Sequence, residues 1–134
     1  MARDVINPDD MYNAVEYGFS HAVVHGGGKV IECSGQVAWD DDRQLVGAGD
    51  LAAQTAQAFR NLGKVLAHVG ATPADVVRMR IYVVGHTPDK LQIIGPAIAA
   101  FCGDALPPAN TLIGVQALAL PEFLIEIEAS AVLS

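Results

Sequence analysis

Two glutamates close to the C-terminus, Glu126 and Glu128, stand two residues apart in the run Ile125-Glu126-Ile127-Glu128-Ala129. On an extended strand that spacing puts both on one face, roughly 7 Å apart, within the range where two carboxylates can share acid and base work. In an otherwise apolar sheet a carboxylate is partly desolvated, which raises its pKa and suits it to moving protons near neutrality; a solvated strand face is the alternative. Ser34, in Cys33-Ser34-Gly35-Gln36, is a second candidate. It lacks the G-x-S-x-G elbow of a hydrolase nucleophile and reads as a strand-end hydroxyl bonded to backbone. The four histidines are dispersed at 21, 25, 68 and 86. His21 and His25 share a strand face but lie about 13 Å apart, too far for one ion, so no metal site is expected. Asp40, Asp41 and Asp42 have no remote partners at calcium-loop spacing and read as a solvated turn. Cys33 and Cys102 form no C-x-x-C pair, which points to two buried thiols in a reducing compartment.

The elements that must position these groups follow from hydrophobic period. Residues 21–25 and 29–34 read as strands around the turn Gly26-Gly27-Gly28. That loop leads into a strand and not a helix, so it is a turn and not a phosphate cradle. A further turn at 40–43 precedes a short third strand at Leu45-Val46. From Asp50 the period changes: Leu51, Thr55, Ala58, Leu62, Val65 and Val69 recur at three and four, with Gln54, Gln57, Asn61, Lys64 and His68 opposite. This predicts an amphipathic helix of about five turns, capped by Asp50 and ended by Gly70. A strand over 76–84 puts Val77, Met79, Ile81 and Val83 on one face and Arg78, Arg80 and Tyr82 on the other. Pro88 opens a second helix with the stripe Leu91, Ile94, Ile98 and Phe101, ending near Gly103. Strands over 111–118 and 124–132 complete one domain, 1–134. Two helices segregated on one face of a mixed sheet, an α+β fold, is the economical arrangement. Ile125, Ile127, Ala129 and Ala131, with Ile113 and Val115 nearby, suggest apolar surface left over for a closed oligomer.

Composition limits function. The chain has 134 residues, 51% hydrophobic, with net charge −7 and only 8 Lys plus Arg. That charge lacks the electropositive footprint on which nucleic-acid affinity rests, so no nucleic-acid partner is expected. The most apolar stretch, 111–134, is interrupted by Pro121, Glu122, Glu126 and Glu128, so no membrane span is expected. With no apolar h-region behind Met1-Ala2-Arg3-Asp4, a cytoplasmic location is the expectation.

Ser34-Gly35-Gln36, the 50–70 helix with Gln54 and Asn61-Leu62, Asp75-Val76-Val77, Pro107-Pro108-Ala109 and Ile125-Glu126-Ile127-Glu128-Ala129 occur in an order and spacing that resembles the reactive-intermediate deaminase (RidA, or YjgF) family. The likeness runs from about Phe19 to the end. It implies a chorismate-mutase-like α+β fold and a homotrimer whose sheets form an inner barrel, with small-molecule clefts between subunits. It also implies hydrolysis of enamines and imines to 2-oxo acids and ammonia, with no cofactor. Carried over residue by residue, Ser34 and Glu126 match the family's cleft, with Glu126 holding the attacking water and Gly35 beside Ser34. The family's cleft Tyr falls on Phe19, its Asn on Ile94 or Gly95, and its carboxylate-clamping Arg on Asn110. An amide offers neither the permanent charge nor the bidentate fork of a guanidinium. The chain therefore resembles an arginine-lacking relative, with a two-residue lengthening between Asn110 and Leu120-Pro121. Three readings follow. The first is a deaminase of a different enamine or imine, oriented by Asn110, the Thr111 backbone N–H and Ser34. The second is a non-catalytic metabolite binder. The third is a ribonuclease or translation inhibitor, which the acidic balance opposes. Arg80 could substitute for the clamp or sit in an ion pair, and His21 could move protons or be structural.

Overall fold

The computed structural model describes residues 3–134. Its strands are β1 (Asp4–Ile6), β2 (Ala22–Val24), β3 (Lys29–Gln36), β4 (Val76–Val84), β5 (Ala109–Val115) and β6 (Ile125–Leu133); its helices are α1 (Leu51–His68) and α2 (Leu91–Cys102). The main sheet has the order β3-β6-β4-β5. β6 pairs antiparallel with β3 and β4, whereas β4 and β5 are parallel. Parallel neighbours need a crossover, and α2 supplies it. The α+β class and the placement of both helices follow the expectation from hydrophobic period.

Local chemistry explains the helix limits. Asp50 accepts from the Ala53 N–H at 3.1 Å, satisfying one of the free donors of the first turn of α1. At the other end Gly70 adopts φ +79°, a conformation that costs a residue with a Cβ. Ala58, Leu62 and Leu66 of α1 and Ile94 and Ile98 of α2 then cover Met79, Ile81, Ile125 and Ile127. This one-sided burial is the main favourable term.

Four details depart from the sequence expectation. Gln54, placed on the polar side of α1 by period, is fully buried: its amide donates to the carbonyls of Gly47 and Glu122, each at 3.0 Å, and accepts from Leu124 N–H at 2.9 Å. Leu45 makes only an isolated bridge to Trp39, not a strand. The strands flanking the glycine turn belong to different sheets, because β2 pairs with β1 and β3 with β6. β1 itself is too short to show a period. It is pinned by Arg3, whose guanidinium donates to Val76 O at 2.7 Å and Leu106 O at 2.6 Å.

Ile125, Ile127, Ala129 and Ala131 are buried under the helices, so they leave no apolar surface. Ile113 is in register with Tyr82 and so lies on the opposite, uncovered face. That face is polar, carrying Glu126, Glu128, Arg78 and Arg80. Val30 of β3, in the same alternation as Glu32, is an exposed apolar side chain on that face, while Tyr12, Tyr17 and Leu91 are exposed elsewhere.

Candidate functional site

On the uncovered sheet face the β3 ladder shifts register between Cys33 and Gln36, which takes Ser34 and Gly35 out of regular pairing. The irregularity brings the Glu126 carboxylate of β6 directly over Gly35. A Cβ built on Gly35 would lie 2.0 Å from Glu126 Oε2 and 2.6 Å from its Cδ. Only glycine leaves that volume free. Ser34 is exposed and Glu126 half-buried, so the carboxylate is reachable.

Glu128, two residues along, is committed differently. It accepts a hydrogen bond from the Tyr82 hydroxyl and pairs with Arg80 at 3.7 Å. The hydrogen bond to Glu128 holds the Tyr82 phenol above its ordinary pKa, with burial and the carboxylate charge adding and Arg80 opposing. Arg80 is therefore the ion-pair partner of Glu128. Arg78 donates to Thr111 Oγ1 at 2.8 Å, holding the Thr111 side chain on this same face.

Phe19, Ile94 and Asn110 lie on the other side, around a cavity of about 560 Å³ between the 12–19 segment, α2 and β5. Ser20 builds this junction: its N–H donates to Pro108 O at 2.9 Å and its hydroxyl to Pro107 O at 2.6 Å. These bonds set Phe19 beside the start of β5, where Asn110 Nδ2 donates to Gly18 O at 3.4 Å. Among the described residues, Asn110 Oδ1 is buried without a partner. Tyr12 and Tyr17 complete the wall, and sequence reasoning passed over both because neither belongs to a motif or an apolar stripe. Tyr12 stacks edge-on against Phe19 and His21, with centroids at 6.3 and 4.8 Å. His21 Nε2 donates to Tyr12 O at 2.9 Å, so His21 tethers the wall and does not line the cavity.

The sheet thus divides the candidates. Ser34, Gly35, Thr111 and Glu126 share one face; Phe19, Ile94 and Asn110 border the cavity on the other. By register, Asn110 is level with Met79 and Glu126 with Tyr82. That is about 10 Å along the strands and two strands across. One chain does not bring Glu126 and Asn110 together.

The acidic trio at 40–42 acts locally. Asp40 Oδ1 accepts from the backbone N–H groups of Asp42 and Gln44, each at 2.9 Å, closing the expected turn. Cys33 and Cys102 are both buried and free, and burial raises both thiols above their ordinary pKa. Among the described residues no helix is long and apolar enough to cross a membrane.

The domain is a mixed sheet backed by two helices, with a half-buried carboxylate above a strand glycine and an aromatic-walled cavity at the sheet margin. The family model described as endoribonuclease L-PSP matches residues 11–133, and the chain belongs to that family, also called YjgF or Rid, a membership that supports a small-metabolite-processing role. A Yersinia pestis protein of the conserved Rid family, YyfB, itself of unknown function, is 57% identical, with 99% of this chain and 100% of that one covered and a TM-score of 0.97. A Mycobacterium tuberculosis member of the YjgF/YER057c/UK114 family is 32% identical over 98% of this chain and 99% of that one, with a TM-score of 0.65. A second Rid-family protein of unknown function from Yersinia pestis, YyfA, is 26% identical over 98% and 100%, with a TM-score of 0.70. No curated protein matches the chain.

Proposed function

We propose that the chain is a hydrolytic deaminase of small enamine or imine metabolites, working at a cleft that a second copy completes. The observation that carries the reading is the Glu126 carboxylate held over Gly35, where the absence of a Cβ leaves room for the carboxylate. A carboxylate held in this way is suited to take a proton from water as that water attacks the C=N carbon. The reaction balances without a redox partner: C=N plus water gives C=O plus ammonia, and no cofactor is required. Ser34 and the Thr111 backbone N–H orient the substrate. Asn110, in place of an arginine clamp, directs specificity away from simple 2-imino acids. Loss of a charge-assisted contact of that kind weakens carboxylate binding by about 1.5 to 3 kcal/mol.

The separation of Glu126 from Asn110 within one chain supports a closed homotrimer. In it the polar sheet faces turn inward and Glu126 of one copy approaches the cavity of the next. Absence of a charged clamp favours one second reading, a non-catalytic metabolite binder. With net charge −7, a ribonuclease is disfavoured. Free buried thiols suit a reducing, cytoplasmic setting.

The test is ammonia release from freshly generated enamines and imines, with and without an α-carboxylate, by protein whose mass is checked by light scattering. Turnover that disappears in Glu126→Gln while the trimer persists supports the deaminase. Silence across the panel in a folded trimer leaves the binder, and a monomeric mass removes the shared cleft.

A further inference from the structure

The cavity holding Phe19, Ile94 and Asn110 carries a charge pattern opposite to a carboxylate site. Among the described residues, Glu16 is the only charged side chain on its wall, and no lysine or arginine lines it. Three aromatic rings, Tyr12, Tyr17 and Phe19, line the same cavity as Glu16. Tyr12 meets the other two at interplanar angles of 73° and 69°, so the rings form a corner and not a stack. Aromatic faces carry negative quadrupole potential and attract cations. The opposite wall, Ile94, Ile98, Leu91 and Leu112, is aliphatic. At its margin, Asn110 Oδ1 is an acceptor with no donor among the described residues, on an amide held by one long bond of 3.4 Å. A buried acceptor without a partner is costly, and a ligand N–H reached by a small turn of that amide relieves the cost.

These features agree in sign. A carboxylate would bring only acceptors to an unpaired acceptor, and a negative charge to Glu16 and three ring faces. An ammonium or iminium brings donors and a positive charge. We infer that this cavity binds a small organic cation, a protonated amine or iminium on an apolar body, and excludes carboxylates. The inference rests on the deaminase reading only in assigning the cavity to the substrate cleft. Under that reading the substrate is an iminium without an α-carboxylate. The cavity, at about 560 Å³, is in the usual range for small-ligand sites.

The experiment is isothermal titration at neutral pH of the intact protein with three matched probes: benzylammonium, benzyl alcohol and phenylacetate. Benzylammonium is expected to bind about tenfold more tightly than phenylacetate. Glu16→Gln should weaken benzylammonium several-fold and leave benzyl alcohol unchanged. Tyr12→Leu, which keeps an apolar wall but removes a ring face, should also lower the preference for the cation. Both side chains are exposed, and circular dichroism confirms that the variants fold. Phenylacetate binding as tightly as benzylammonium overturns the inference. So does an unchanged preference in Glu16→Gln, or no saturable benzylammonium binding in the millimolar range. Repeating the titration with Glu126→Gln separates the two proposals. Cation selectivity without any ammonia release refutes the deaminase alone, and turnover without cation selectivity refutes the inference alone.

Discussion

Replacing Gly35 by alanine should damage the proposed chemistry far more than the fold. The added Cβ would lie 2.0 Å from Glu126 Oε2, 2.6 Å from Cδ and 2.8 Å from Cγ. The nearest ordinary contact is well above 3 Å, so the carboxylate must swing aside by more than an ångström. Gly35 has no positive φ, so the alanine backbone fits without strain. The stability cost is then that of pushing one half-buried side chain into a poorer rotamer, about 1 kcal/mol. A displacement of about 1 Å at a catalytic group lowers turnover by about 100-fold. Ammonia release from the best imine substrate and the thermal midpoint, measured on the same preparation, read the two effects separately. Turnover within about threefold of the parent, with an unchanged midpoint, would show that the position of Glu126 over Gly35 does not serve the reaction.

Gln54→Ala removes three hydrogen bonds and strands the carbonyl of Glu122 and the N–H of Leu124, while Gly47 O keeps its bond from the Asp50 N–H. A loss of about 3 kcal/mol is expected in urea unfolding, and under 1 kcal/mol would mean water replaces the amide. Because its bond to Glu128 raises the Tyr82 pKa above the unfolded value, that contact contributes stability below pH about 10 and loses it as pH rises through the folded-state value. Tyr82→Phe should therefore flatten the alkaline limb of a stability-versus-pH curve, and an unaltered limb would contradict the linkage. Cys33 and Cys102 are buried with raised pKa values, so a thiol reagent at mildly alkaline pH should label native protein about 100-fold more slowly than unfolded protein. Fast labelling of either thiol would show local opening.

The sequence by itself determined the parts of this protein that depend on period and local chemistry. The spacing from Leu51 to Val65 produced α1 because a helix repeats every 3.6 residues, and Asp50 and Gly70 mark its ends through capping and left-handed backbone. Alternation in 125–131 assigned Ile125, Ile127 and Ala129 to one face and Glu126 and Glu128 to the other. Period cannot report which strands pair, so the partners of β2 and β3, the bridge at Leu45 and the three-residue β1 awaited the fold. Nor can it tell an exposed amide from a satisfied buried one, as Gln54 shows. Tertiary structure alone decided what the glutamates do. Glu128 is bound to Tyr82 and Arg80, while Glu126 is left over Gly35 by a register shift that a linear pattern does not encode. It also decided that Asn110 and Glu126 stand apart in one chain, and that Tyr12, Tyr17 and Glu16 line one cavity with Phe19. Those neighbours come from a loop and the short 3-10 turn Val15–Tyr17, too short to show a period, brought together by the bonds of Ser20 to Pro107 and Pro108. Local propensity acts over a few residues, whereas contacts spanning some 90 positions exist only once the core has closed.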